Sequence, residues 1–245
     1  MILLTPGPTP IPPLVQEAMS QPIIPHRSME FERLYGECAE GLREVFRTKS
    51  PVMLVTGSGT TAMEAALLSL VKAGDSVVTC ANGKFGRRWQ EVYDRVPHPL
   101  KISNTKISAS WGDAVAPERL AQSLQKLPYV SVVALTHSET STGVANDLKE
   151  MAAVVRKHSP DALVVADGIT SVGAIPMEAD GWGVDVVVSA SQKAFMLPPG
   201  LGFVMLSERA RARLGSIRHG ESLAPLSMDL RAYLAAHEKG STPYT

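Results

Sequence analysis

The chain has 245 residues, enough to bury one sizeable core, and with 44% hydrophobic and 20% charged residues it reads as a soluble globular protein. Lys plus Arg and Asp plus Glu stand at 24 each, so no global field favours nucleic acid or an anionic membrane. Cys38 and Cys80 lie far apart without a Cys-x-x-Cys pattern, and the 6 histidines show no ligand spacing, which argues against both a disulfide framework and a metal site.

The N-terminus has no basic stretch, its apolar run is too short for a signal peptide, and no segment approaches membrane-spanning length, so a cytoplasmic location is the default expectation. Residues 1–25 read as an extended N-terminal arm: Pro6, Pro8, Pro10, Pro12, Pro13, Pro22 and Pro25 deny the backbone its ladder donors. The arm is expected to wrap over another part of the molecule, with a short helix from near Pro13 to Met19. Residues 26–245 form the main unit. Its first element is a helix over residues 30–47, where Phe31, Leu34, Tyr35, Leu42, Val45 and Phe46 share one face.

Strands are then expected at residues 52–55, 76–80, 130–136, 162–166, 184–189 and 202–206. Helices alternate with them at residues 61–71, 85–95, 117–126, 147–157 and 208–217. This rhythm predicts an α/β fold, a mostly parallel sheet with helices on both faces and right-handed crossovers. A last helical pattern begins near Leu226 and gives way to Gly240-Ser241-Thr242-Pro243-Tyr244-Thr245, a turn-rich ending that suggests a fragment.

Polar motifs follow several of the apolar runs. Gly57-Ser58-Gly59-Thr60 leads into an Ala-rich helix, where free amides and the helix dipole favour a phosphate; a plain N-cap turn explains the same residues. Ala81-Asn82-Gly83-Lys84-Phe85 puts an aromatic ring on a glycine-bounded loop, suited to lying on a cofactor ring or to core packing. The run from Thr136 through His137-Ser138-Glu139-Thr140 to Gly143 is dense in hydroxyl and imidazole groups. These suit a ring hydroxyl or a substrate carboxylate, or else a capping loop.

The sharpest feature is Lys193, which follows the apolar run 186–188, together with Asp167, which ends the run 162–166. A lysine that merely reaches solvent, or a structural ion pair, accounts for each residue separately. Taken together, an amine and a carboxylate at neighbouring strand ends form the layout a pyridoxal phosphate (PLP) site requires: an amine to condense with an aldehyde and a carboxylate to hold the pyridine nitrogen protonated.

In order and spacing these motifs, with Leu4-Thr5-Pro6-Gly7-Pro8 before them and Thr242-Pro243-Tyr244-Thr245 after, make the chain resemble the class V aminotransferases of PLP fold type I, especially the alanine-glyoxylate and serine-glyoxylate group. The resemblance implies that residues 26–245 are the PLP-binding large domain. Lys193 would be the Schiff-base lysine and Asp167 the partner of the pyridine nitrogen. Ser58, Gly59, Thr60 and Gln192 would hold the phosphate. Phe85 would stack on the ring, Thr140 would reach its hydroxyl and Ile169 would pack beneath it. In a homodimer, Thr242 and Thr245 would reach the partner's phosphate. Family members continue for roughly a further 100 residues, a small C-terminal domain that supplies the arginine gripping the substrate carboxylate. The implied reaction moves an amino group from alanine or serine to a 2-oxo acid such as glyoxylate or pyruvate. Alternatives are a PLP lyase or desulfurase, for which Cys38 and Cys80 lie too early to be the catalytic thiol, and a cofactor-binding subunit without turnover.

Overall fold

Strands form where β-branched residues cluster. The computed structural model describes residues 3–95 and 102–244. Its strands are β1 (Val52–Thr56), β2 (Ser76–Ala81), β3 (Ser103–Ser108), β4 (Val132–Thr136), the short β5 (Ser138–Glu139) and β6 (Val144–Ala145), then β7 (Leu163–Asp167), β8 (Val186–Ala190) and β9 (Leu201–Leu206). Helices α1 (Pro13–Met19), α2 (Met29–Phe46), α3 (Gly59–Leu70), α4 (Lys84–Asp94), α5 (Pro117–Leu124), α6 (Leu148–His158), α7 (Ala179–Trp182), α8 (Glu208–Ser216) and α9 (Leu230–His237) lie between and around them.

The main sheet has the order β1-β9-β8-β7-β4-β2-β3, with β5 and β6 forming a separate hairpin. Strands β8, β7, β4, β2 and β3 pair in parallel, while β9 runs antiparallel to both β8 and β1. The sheet departs from parallel at its last strand: β8 reaches β9 through the helix-free stretch 191–200, and this direct return runs antiparallel. Strand β3 is the element the apolar pattern does not signal. Its sequence Ser-Asn-Thr-Lys-Ile-Ser is mostly polar because it sits at the sheet edge, paired on one side only.

Every residue of β4, β7 and β8 is buried, since both faces of the sheet are covered. Alternate residues feed two cores. Val165 packs with Leu67, Trp89, Val204 and Leu214 on one side, and Val164 with Phe46, Leu120, Met151 and Phe203 on the other. Helix α3 is small and apolar nearly all round, so it lies close against the sheet: a Cβ on Gly202 of β9 would stand 2.8 Å from Ala62 Cβ.

The arm is pinned at its start. Thr9 donates its amide to Gln192 O at 3.2 Å and its hydroxyl to Lys193 O at 3.0 Å. At the other end, Arg27 donates to Ser241 Oγ and Thr242 O, both at 3.2 Å, which ties the segment before α2 to the segment after α9. Among the described residues no helix is long and apolar enough to cross a membrane.

Candidate active site

The parallel strands deliver their C-terminal ends to one edge of the sheet, where ligands bind in open α/β folds. Asp167 closes β7 there, in register with Thr136 of β4 and Val188 of β8. It is 3% exposed, and its Oδ1 accepts the amide of Ile169 at 2.9 Å. Burial pushes its pKa up from 3.8 to about 7, against the lowering influence of the Ile169 amide and of the charges of Arg88 and Lys193; the charge of Glu139 adds to the rise.

Lys193 lies three residues beyond β8, on a loop with several anchors. Ser191, fully buried, donates Oγ to Pro198 O at 2.6 Å and accepts the Leu201 amide at 3.3 Å. Phe195 packs on Phe203 with ring centroids 4.7 Å apart. Met196 adopts a left-handed backbone, φ 54°, and its amide closes a turn onto Lys193 O at 2.9 Å. The lysine is half-buried and its Nζ donates to Pro6 O at 3.3 Å. Burial lowers its pKa, and the charge of Asp167 opposes that fall, so the two groups share one electrostatic environment.

Around this pair stand most of the residues singled out by sequence. Ser58 is the N-cap of α3: its Oγ accepts the Thr61 amide at 3.2 Å and its carbonyl accepts that of Ala62. The amides of Gly59 and Thr60 are thereby left at the open first turn. Gly59 is packed so closely that a Cβ would stand 2.6 Å from Ile169 Cδ1. Thr140 shares a hydrogen bond of 2.5 Å with Thr170, next to Ile169. Gln192 adjoins Lys193, and its Oε1 is buried without a partner.

Phe85 is half-buried at the start of α4 and is not part of either core; Trp89, one turn on, fills that role. Over its ring, 4.9 Å from the centroid, lies the guanidinium of Arg88, which also donates to Thr60 Oγ1 at 3.0 Å. Sequence reasoning missed Arg88. Its signal was the spacing of three from Phe85, which puts both on one helix face.

Three positions behave differently. His137 is buried with its ring edge-on to Trp182, centroids 5.7 Å apart, so its imidazole serves packing rather than the polar cluster. Thr242 lies in the tail, held by Arg27 and bonded through Oγ1 to Tyr244 O at 2.9 Å, apart from Lys193 and Asp167. Thr245 is outside the described residues. A cavity of about 660 Å³ beside α3 and α4, lined by Leu68, Lys72, Val92 and Leu223, shares no residue with this cluster.

The fold and this constellation define an aminotransferase-type α/β protein, and the chain belongs to the class-V aminotransferase family, whose model matches residues 2–236. Among its relatives is the soluble hydrogenase 42 kDa subunit of Anabaena cylindrica, 38% identical, with 100% of this chain and 62% of that protein covered. The serine–glyoxylate aminotransferase of Methylorubrum extorquens is 32% identical, covering 99% and 60%. In structure, the aspartate aminotransferase of Thermus thermophilus superposes with a TM-score of 0.89 at 35% identity, covering 100% of this chain and 66% of that one. The chain therefore spans less than two thirds of the length of these proteins.

Proposed function

We propose that this protein is a PLP-dependent aminotransferase that moves an amino group from a small amino acid, alanine or serine, to a 2-oxo acid such as glyoxylate or pyruvate. The observation that carries the reading is the placement of Asp167 at the end of β7 and of Lys193 three residues past the adjacent parallel strand β8, at one edge of the sheet. The Methylorubrum relative's name supports glyoxylate as acceptor and serine as donor. The hydrogenase name belongs to the Anabaena protein; the groups that converge here are an amine, a carboxylate, hydroxyls and an amide, a set suited to an organic phosphate cofactor.

The residues fit that cofactor. The first-turn amides of Gly59 and Thr60, the Ser58 hydroxyl and the Nε2 group of Gln192 would donate to its phosphate. Phe85 and Ile169 would enclose the ring, Thr140 would meet the ring hydroxyl, and Asp167 would face the pyridine nitrogen. When bound, pyridoxal phosphate supplies an electron sink for a carbanion at the substrate α-carbon.

In this reading Lys193 is both the attachment point and the general base. Burial lowers its pKa, which favours the neutral amine, and Nζ would then act as base toward the substrate α-proton. Asp167 would accept a hydrogen bond from the protonated pyridine nitrogen. Two copies would complete the site, with Thr242 and Thr245 reaching the partner's phosphate. The arm supports a pairing surface, since Leu4, Leu14 and Ile23 expose 76% to 98% of their area.

The test is reduction of the full-length protein with borohydride in the presence of PLP, followed by peptide mapping. The cofactor is expected on Lys193, with none on Lys193→Ala, and glyoxylate-dependent consumption of alanine or serine is expected only in the former. A folded Lys193→Ala variant with normal turnover would reject the assignment.

A further inference from the structure

Glu139 enters the site above only through its charge, yet its carboxylate accepts hydrogen bonds at both oxygens. It is 0% exposed and sits between two loops that are far apart in sequence. Its Oε2 accepts the amides of Gly86 at 2.8 Å and Phe85 at 3.0 Å. Its Oε1 accepts the amide of Ser141 at 3.1 Å and the Ser141 hydroxyl at 2.7 Å, with the Phe85 amide also within 3.2 Å. Ser141 Oγ in turn accepts the Lys84 amide at 2.9 Å. Gly83 leaves no room for anything larger: a Cβ there would stand 2.4 Å from Glu139 Cγ.

The carboxylate thus does two things. It takes the orphan amides of the first turn of α4, favoured by the helix dipole, and it fastens that turn to the β5–β6 hairpin. Phe85 rides on the first and Thr140 on the second. We propose that Glu139 is a positioning residue that fixes Phe85 and Thr140 relative to each other, so that the two side chains meet a single aromatic ligand at a set separation. The inference rests on the cofactor reading above.

A carboxylate is required because both oxygens face donors. In Glu139→Gln one of them becomes an NH₂ group aimed at N–H or O–H, which removes an acceptor and sets donor against donor. Hydrogen bonds to a buried charge are worth more than neutral ones, and an unmade one leaves its donor desolvated.

The experiment is a double-mutant cycle read as PLP dissociation constants in the full-length protein, for wild type, Glu139→Gln, Phe85→Ala and the double variant, with circular dichroism as the check on folding. Glu139→Gln alone should weaken binding by roughly tenfold, and by only about twofold to threefold in the Phe85→Ala background, because residues that act through one another are not additive. Ser141→Ala, a milder change to the same network, should weaken binding by about threefold and show the same loss of effect without Phe85. Unchanged affinity in a folded Glu139→Gln, or an equal factor with and without Phe85, would overturn the proposal. If Glu139→Gln does not fold, an unchanged affinity in Ser141→Ala overturns it instead. Failure of the wild type to trap PLP on Lys193 would reject the cofactor reading itself, whereas trapping with unaltered variant affinities would reject this inference alone.

Discussion

Lys193 Nζ donates to the carbonyl of Pro6 at 3.3 Å, so a residue of the N-terminal arm holds the proposed reactive amine. The contact is tight: a Cβ on the neighbouring Gly7 would stand 2.7 Å from both Nζ and Cδ of Lys193. Because those are the free end of a flexible side chain, they can yield without disturbing the core. Gly7 itself has φ 155°, a conformation alanine adopts only with strain, so Gly7→Ala is expected to destabilise the protein by more than about 1 kcal/mol and to slow the trapping of PLP on Lys193 several-fold. Equal trapping rates would show that the arm does not govern the position of the lysine.

The raised pKa of Asp167 makes a stability statement. Between its ordinary 3.8 and the folded value of about 7, the folded chain keeps a proton that the unfolded chain releases. This group therefore costs the unliganded protein stability as pH rises through that window, by up to on the order of 4 kcal/mol, and adds nothing further above it. Asp167→Asn lacks the proton and the cost. Denaturant midpoints at pH 5 and pH 8, without cofactor, should show wild type losing ground to Asp167→Asn as pH rises. A pH-independent gap between the two would mean that the carboxyl titrates normally.

Arg88 connects three members of the site: it donates to Thr60, lies over Phe85 and lowers the pKa of Asp167. Removing the cation in Arg88→Gln should raise the Asp167 pKa further, so that a higher pH is needed to ionise it. The acid limb of PLP binding should then move to higher pH and the affinity at neutral pH fall several-fold. Arg88→Lys keeps the charge but not the planar fork that spans Thr60 and Phe85, and should hold the pH limb near wild type while still weakening binding. An acid limb unmoved in Arg88→Gln would remove Arg88 from the electrostatics of the site.

What could be read from sequence follows from what each residue answers to. Strands β1, β2, β4, β7 and β8 stand out because burial on both faces demands apolar, β-branched runs, and a charged residue at the end of such a run, Asp167 at β7 or Lys193 just past β8, is conspicuous against them. Strand β3 answers to one neighbour and to solvent, so its polar residues resemble a loop. The β5–β6 hairpin is two residues wide and carries no period to detect. The direction of β9 depends on its connection rather than its composition. Glu139 and Arg88 carry no role legible in sequence, because the amides that Glu139 accepts and the Thr60 hydroxyl that Arg88 meets come from other segments and reach them only in the folded chain.

Gly59 offers a test of the packing that holds the first turn of α3 against β7 and β8. Its backbone φ is outside the left-handed range, so alanine suits the conformation and even favours the helix slightly. The obstacle is contact alone: the added Cβ would stand 2.6 Å from Ile169 Cδ1 and 3.1 Å from Ala190 Cβ, both buried. Overpacking of this kind costs about 1–3 kcal/mol. Gly59→Ala should lower the unfolding free energy by that amount, and Ile169→Val, which deletes the obstructing methyl, should recover part of the loss in the double variant although it is mildly destabilising alone. Chemical denaturation of the four proteins measures the coupling. Strict additivity would mean that the helix start is not seated on Ile169, and Ile169 would then lose its place beneath the proposed ring.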